Sequence, residues 1–132
     1  MSYITITMDK SEDNAFSTSG IKDFTSEETV FEIAIDTKYE MIGVKIDITG
    51  TAANPFTIGA TLSIKLYTAY AAAGASYRQE GETITRIVGT DSPSVAFSDW
   101  ADYAYSKVTI ESNNGADTAV DVPIKYIKKP LE

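Results

Sequence analysis

The chain has 132 residues, no cysteine, no histidine, and a formal charge of −8 from 11 basic and 19 acidic residues. That length supports one domain with its own core, while the two absences exclude a disulfide frame, a thiol nucleophile, a Ser-His-Asp triad and a His-based zinc site. The acidic balance disfavours nucleic acid and anionic lipid, no apolar run reaches the roughly 18 residues of a membrane span, and the opening residues lack the basic-then-apolar order of a signal peptide.

Residues 3–8 alternate, with Ile4, Ile6 and Met8 on one face, and predict a first strand. Residues 9–28 are polar, with Phe16, Ile21 and Phe24 as anchors. They predict a long loop or arm, loosely packed on its own subunit and available to order against a neighbouring one. Residues 30–36 predict a strand that buries Phe31, Ile33 and Ile35. Residues 41–49 alternate most cleanly, placing Ile42, Val44, Ile46 and Ile48 inward and Gly43, Lys45, Asp47 and Thr49 outward. Residues 50–55 supply Gly, Asn and Pro for a turn. Residues 57–70 predict a long strand, with Leu62, Ile64 and Leu66 inward and Ser63, Lys65 and Tyr67 outward. The alanine-rich residues 71–75 are where helix competes locally; Gly74 weakens it, and a loop or single turn is expected. Residues 83–88 predict a strand, Asp91, Ser92 and Pro93 a turn, and residues 95–97 a short strand. Residues 98–102 predict one turn capped by Ser98.

Residues 104–126 hold two alternating runs around Asn113, Asn114, Gly115, Ala116 and Asp117, the sequence form of a β-hairpin. Ser106, Val108 and Ile110 share one face of the first run; Val120, Val122, Ile124 and Tyr126 share one face of the second. Pro123 lacks a donor, which predicts a last strand at a sheet edge or bulged there. About eight short strands, paired mostly through hairpins, predict an all-β fold: a single antiparallel β-sandwich, Ig-like or jelly roll, in one domain over residues 1–132. Ile33, Ile46, Ile64, Val108, Ile110, Val122 and Ile124 are its expected core.

Chemistry would have to rest on carboxylates, and Asp47, Glu111 and Asp121 fall on solvent faces without the pairing of a glycosidase. No glycine-rich phosphate loop occurs. Asp9, Glu12 and Asp13, and Asp91, Asp99 and Asp102, lack the glycine and terminal glutamate of an EF-hand loop and read as ordinary acid-rich loops. No enzyme, cofactor or metal is expected. The aromatic residues, 8 Tyr and 1 Trp among them, carry the binding signal. Tyr67, Tyr70 and Tyr77 flank the alanine segment, and Trp100, Tyr103 and Tyr105 precede the last strands. Such side chains stack on sugars or fill protein interfaces; they also pin down long loops.

Residues 41–51 and 62–70 (Leu-Ser-Ile-Lys-Leu-Tyr-Thr-Ala-Tyr) are followed by residues 94–98, 103–115 and 119–126 (Ala-Val-Asp-Val-Pro-Ile-Lys-Tyr). This succession resembles small β-sandwich virion proteins of tailed bacteriophages, capsid decoration (cement) proteins and related head or tail accessory proteins. The likeness runs from Val30 to Tyr126, and departs where residues 71–76 replace an expected Asp-Gly turn. It implies a non-enzymatic protein located in the virion and assembled in the host cytoplasm. Its partner would be coat protein or another virion protein, with self-association, for example as a trimer, and no role for nucleic acid or membrane. The alternative from the aromatic residues alone is a carbohydrate-binding module or adhesin domain.

Overall fold

The computed structural model describes residues 14–34, 39–69, 77–98 and 105–130. Among them the regular elements are nine β-strands and no helix: β1 Asn14–Thr18, β2 Glu28–Ala34, β3 Tyr39–Asp47, β4 Thr61–Ala69, β5 Arg78–Gln79, β6 Ile84–Ile87, β7 Ser94–Ser98, β8 Tyr105–Ser112 and β9 Pro123–Pro130. They form two antiparallel sheets packed as a sandwich. One has the order β1-β9-β3-β7; the other runs β2-β8-β4-β5, with β6 also pairing β4.

Period-two patterning explains the core. On β4, Leu62, Ile64 and Leu66 are buried while Ser63, Lys65 and Tyr67 are half-exposed. Val44 and Ile46 on β3, Val95 on β7 and Ile124 on β9 meet Leu62, Ile64, Val108 and Ile110 from the other sheet in one cluster. Of the expected core, Ile46, Ile64, Val108, Ile110, Val122 and Ile124 are buried; the side chain of Ile33 lies outside the described set. A bulge between Thr29 and Phe31 places both Val30 and Phe31 against the core, where alternation alone selects Phe31. At Gly50, φ is +87° and an added Cβ would lie 2.8 Å from the Pro55 Cα, so the predicted turn needs glycine.

The connectivity departs from the expectation of hairpins. Apart from the run β4-β5-β6, every consecutive pair of strands lies in different sheets, so the connections cross the sandwich. Residues 113–122 are therefore no hairpin loop: β8 pairs β2 and β4, whereas β9 pairs β1 and β3. The turn residues there change the sheet rather than reverse the strand. Nor is β9 an edge: it lies between β1 and β3, and Pro123 is its first residue, a position that needs no ladder donor.

The expected arm at residues 9–28 is also corrected for its described part. Asn14–Thr18 pairs with β9, the Ser19 and Lys22 amides donate to the carbonyls of Val122 and Val120, and Phe24 is fully buried. Its polar composition concealed a strand satisfied by backbone pairing and anchored by one ring, with Phe24 5.2 Å from Phe56. The predicted strand at residues 3–8, the alanine-rich residues 71–75 and residues 99–102 lie outside the described residues.

Candidate functional site

Four crossovers meet at one end of the sandwich and are bonded to one another. Asp117 is the centre. Its Oδ1 accepts from the Thr57 amide at 2.9 Å and the Thr57 hydroxyl at 2.7 Å, and its Oδ2 from Ser112 Oγ at 2.5 Å. Its carbonyl accepts from the Phe24 amide, so three crossovers are tied through one residue that is 1% exposed. The fourth joins through the Ile48 amide, which donates to Pro93 O. Buried and already bound by three donors, this carboxylate holds the crossovers together.

A second carboxylate-centred group lies on the outer face of the five-stranded sheet. Register aligns Glu32, Lys107, Tyr67 and Gln79 across β2, β8, β4 and β5. Glu27, just before β2, accepts at one oxygen from the Tyr67 hydroxyl and the Thr109 hydroxyl, both at 2.6 Å. Tyr77 precedes β5 yet its hydroxyl reaches Glu32 on the far edge strand at 2.8 Å, so its side chain lies across the sheet. The Lys107 ammonium sits 4.6 Å from the Tyr77 ring centre and 5.3 Å from that of Tyr67.

The electrostatics fix one protonation state. The Thr109 and Tyr67 hydroxyls hold the Glu27 carboxyl below the ordinary carboxylate value, with Lys65 and Lys107 adding to the effect. Burial and the Glu27 carboxylate push the Tyr67 phenol up to about 12. Burial and Glu32, with Tyr105 nearby, push Tyr77 higher still. The Glu27 carboxylate is favoured in its charged form and both phenols in their neutral form. This opposes what an acid–base or nucleophilic site needs, which is a group poised to exchange its proton.

Of the six aromatic candidates, Tyr67 and Tyr77 share this cluster and Tyr105 borders it; Tyr70, Trp100 and Tyr103 lie outside the described residues. The structure adds Glu27, Glu32, Lys107 and Thr109. The outward position of Lys107 and Thr109 is readable from the period of β8, but nothing in the order of residues brings Glu27 to Tyr67. Of the two acidic groups considered for calcium, Asp91 is described, and its carboxylate accepts from the Ile87 amide at 2.7 Å within its own turn. Among the described residues no group of three or more carboxylates converges.

No protein-family model and no curated protein sequence matches the chain. Solved structures give a general likeness of fold. A structure of infectious bursal disease virus, Gx strain, aligns over 88% of this chain at 14% identity and a TM-score of 0.42, and this chain spans 30% of that one. The structure of tomato aspermy virus aligns over 90% at 9% identity and 0.46, covering 78% of that chain. The CBM22-1 xylan-binding domain from Paenibacillus barcinonensis Xyn10C aligns over 86% at 8% identity and 0.40, covering 88% of that chain.

Proposed function

We propose that this protein is a non-catalytic structural component of a virion that decorates a bacteriophage capsid, docking on coat protein through the outer face of its five-stranded sheet. The observation that carries the reading is the Tyr67–Lys107–Tyr77 stack with both phenols tied to glutamates. Its side chains are already held by hydrogen bonds, so docking orders little that is not ordered beforehand. Tyrosine combined with paired charge suits a protein interface. The sequence pattern from Val30 to Tyr126 supplies the virion context, and the phenols held neutral support a role without catalysis.

A glycan-binding reading is less well supported, because the Lys107 ammonium lies over one face of each of the two rings on which a sugar would stack. The test is to add the purified protein to capsids assembled without it and measure occupancy and shell melting against salt. Occupancy should be high at low salt and fall as salt rises, since exposed charges are screened within about 8–10 Å. Tyr77→Ala should lower affinity about tenfold or more. Binding to a glycan array instead of capsids, unchanged occupancy for Tyr77→Ala, or hydrolysis of a glycan or ester above a trace rate would overturn the reading.

A further inference from the structure

The crossover between β8 and β9 contains Asn114-Gly115, the one Asn-Gly pair in the chain. A β-turn closes over it, with the Asp117 amide donating to the Asn114 carbonyl at 3.1 Å. The Asn114 side chain folds back along the same turn, its Oδ1 accepting from the Ala116 amide at 2.9 Å. The Asn114 amide donates to the Ser112 hydroxyl at 3.1 Å. Gly115 is exposed, and its amide makes no hydrogen bond among the described residues. Its φ lies outside the left-handed region, and an added Cβ would meet nothing within 4 Å. Unlike the turn at Gly50, this one therefore does not need glycine. What Gly115 supplies is an unhindered amide beside a carboxamide.

We infer that Asn114 is a site of spontaneous covalent modification, converting to aspartate and isoaspartate in the folded protein. The Gly115 nitrogen gives its proton to hydroxide and bonds to Asn114 Cγ. The Cγ–Nδ2 bond breaks, Nδ2 takes a proton from water and leaves as ammonia, and a succinimide ring closes. Water then opens the ring at either carbonyl. Breaking the new N–Cγ bond leaves aspartate; breaking the original peptide C–N bond leaves isoaspartate, whose main chain runs through Cβ and Cγ. The chain's own contribution is positional. As the nitrogen attacks, negative charge gathers on Oδ1, and the Ala116 amide is already aimed at that atom. The consequence reaches the buried anchor. Isoaspartate adds a carbon to the main chain between Ser112 and Asp117, the pair whose hydroxyl and carboxylate are bonded at 2.5 Å. It shifts the carbonyl that the Asp117 amide meets and so loosens the crossovers, whereas aspartate keeps the length of the turn.

The inference depends on the fold and not on the virion reading, and its test uses the purified protein alone. The folded protein is held in neutral buffer, and peptide mapping follows the mass gained as –NH2 becomes –OH, with isoaspartate read by enzymatic methyl transfer. Conversion should occur at Asn114 and not at Asn14, Asn54 or Asn113, and should quicken as pH rises. Gly115→Ala, which the turn accommodates, should slow it about fivefold or more, because the added Cβ restricts the backbone that must close the ring. The isoaspartate fraction, separated by chromatography, should unfold at lower urea than the unaltered protein, while Asn114→Asp unfolds close to it. Conversion confined to protein unfolded in urea, equal conversion at Asn113, an unchanged rate in Gly115→Ala, or an isoaspartate fraction as stable as the unaltered protein would overturn the inference.

Discussion

Asp117 and Glu27 each gather hydroxyl donors from distant parts of the chain, one inside the molecule and one on its outer face. The Asp117 carboxylate is buried and takes half-exposed Thr57 and buried Ser112; the Glu27 carboxylate is exposed and takes buried Thr109 and half-exposed Tyr67. Inside, the carboxylate has no solvent to replace a lost donor and the buried Ser112 hydroxyl has none to replace the carboxylate, so the bonds hold the crossovers in place. Outside, water reaches the exposed Glu27 carboxylate when a donor is lost, so the bonds fix the shape of a surface and contribute little to folding. The same chemistry therefore serves the fold at one place and, on the proposed function, recognition at the other.

The sharpest way to break this contrast is to remove the buried carboxylate. Asp117→Ala removes the acceptor of the Thr57 amide, the Thr57 hydroxyl and the buried Ser112 hydroxyl together, and should cost roughly 3–5 kcal/mol in urea unfolding, out of a total of about 5–15 for a typical domain. A loss under about 1 kcal/mol would mean that the crossovers are held by backbone bonds alone, and the contrast would fail.

A matched pair sharpens it. Thr57→Val and Thr109→Val delete the same hydroxyl from each group and keep the shape. The first should cost roughly 1–2 kcal/mol, because the Asp117 carboxylate has no water to turn to. The second should cost under about 0.5 kcal/mol, because Glu27 keeps Tyr67 and gains solvent. Equal costs in chemical denaturation would remove the distinction between the two sites.

These two sites also separate what the sequence discloses from what it conceals. Alternation along residues 41–49 and 57–70 identified the strands and inward faces of β3 and β4, because burial on one face leaves a period of two. Asn113 to Asp117 has the composition of a hairpin loop, yet the chain changes sheets there. Composition reports that a strand ends, not which sheet the next one joins. The pairing of Thr57 with Asp117 spans 60 residues and has no local signature. Tyr67 and Tyr77 were selectable as outward aromatics, but Glu27 sits in a polar stretch whose value appears only when β2, β8 and β4 stand side by side. Asn14–Thr18 is not legible as a strand because its order of Asn, Ala, Phe, Ser and Thr carries no apolar alternation, and what defines it is the pairing with β9.

The smallest expected effect is a pH dependence confined to the exposed pair. The Glu27 carboxyl, ordinarily at 4.5, is depressed in the folded chain by the Thr109 hydroxyl first and Tyr67 second. Its contribution is therefore present above about pH 4.5 and lost as pH falls through the lower folded value. Tyr67 is raised from 10.0 to about 12, by burial first and by Glu27 next, so its contribution is present below about pH 10 and lost as pH climbs toward 12. Together they give a plateau between the two ranges, with a height under about 1 kcal/mol because the site is solvent-screened. Glu27→Gln removes the charge that raises Tyr67 and leaves burial, so the phenol should ionise at lower pH while remaining above its ordinary value. Ultraviolet absorbance of the phenolates during an alkaline titration reads this directly, with Tyr67→Phe identifying the band. An identical alkaline titration for Glu27→Gln and the unaltered protein would show that burial alone governs Tyr67, and that Glu27 does not hold the face in its docking shape.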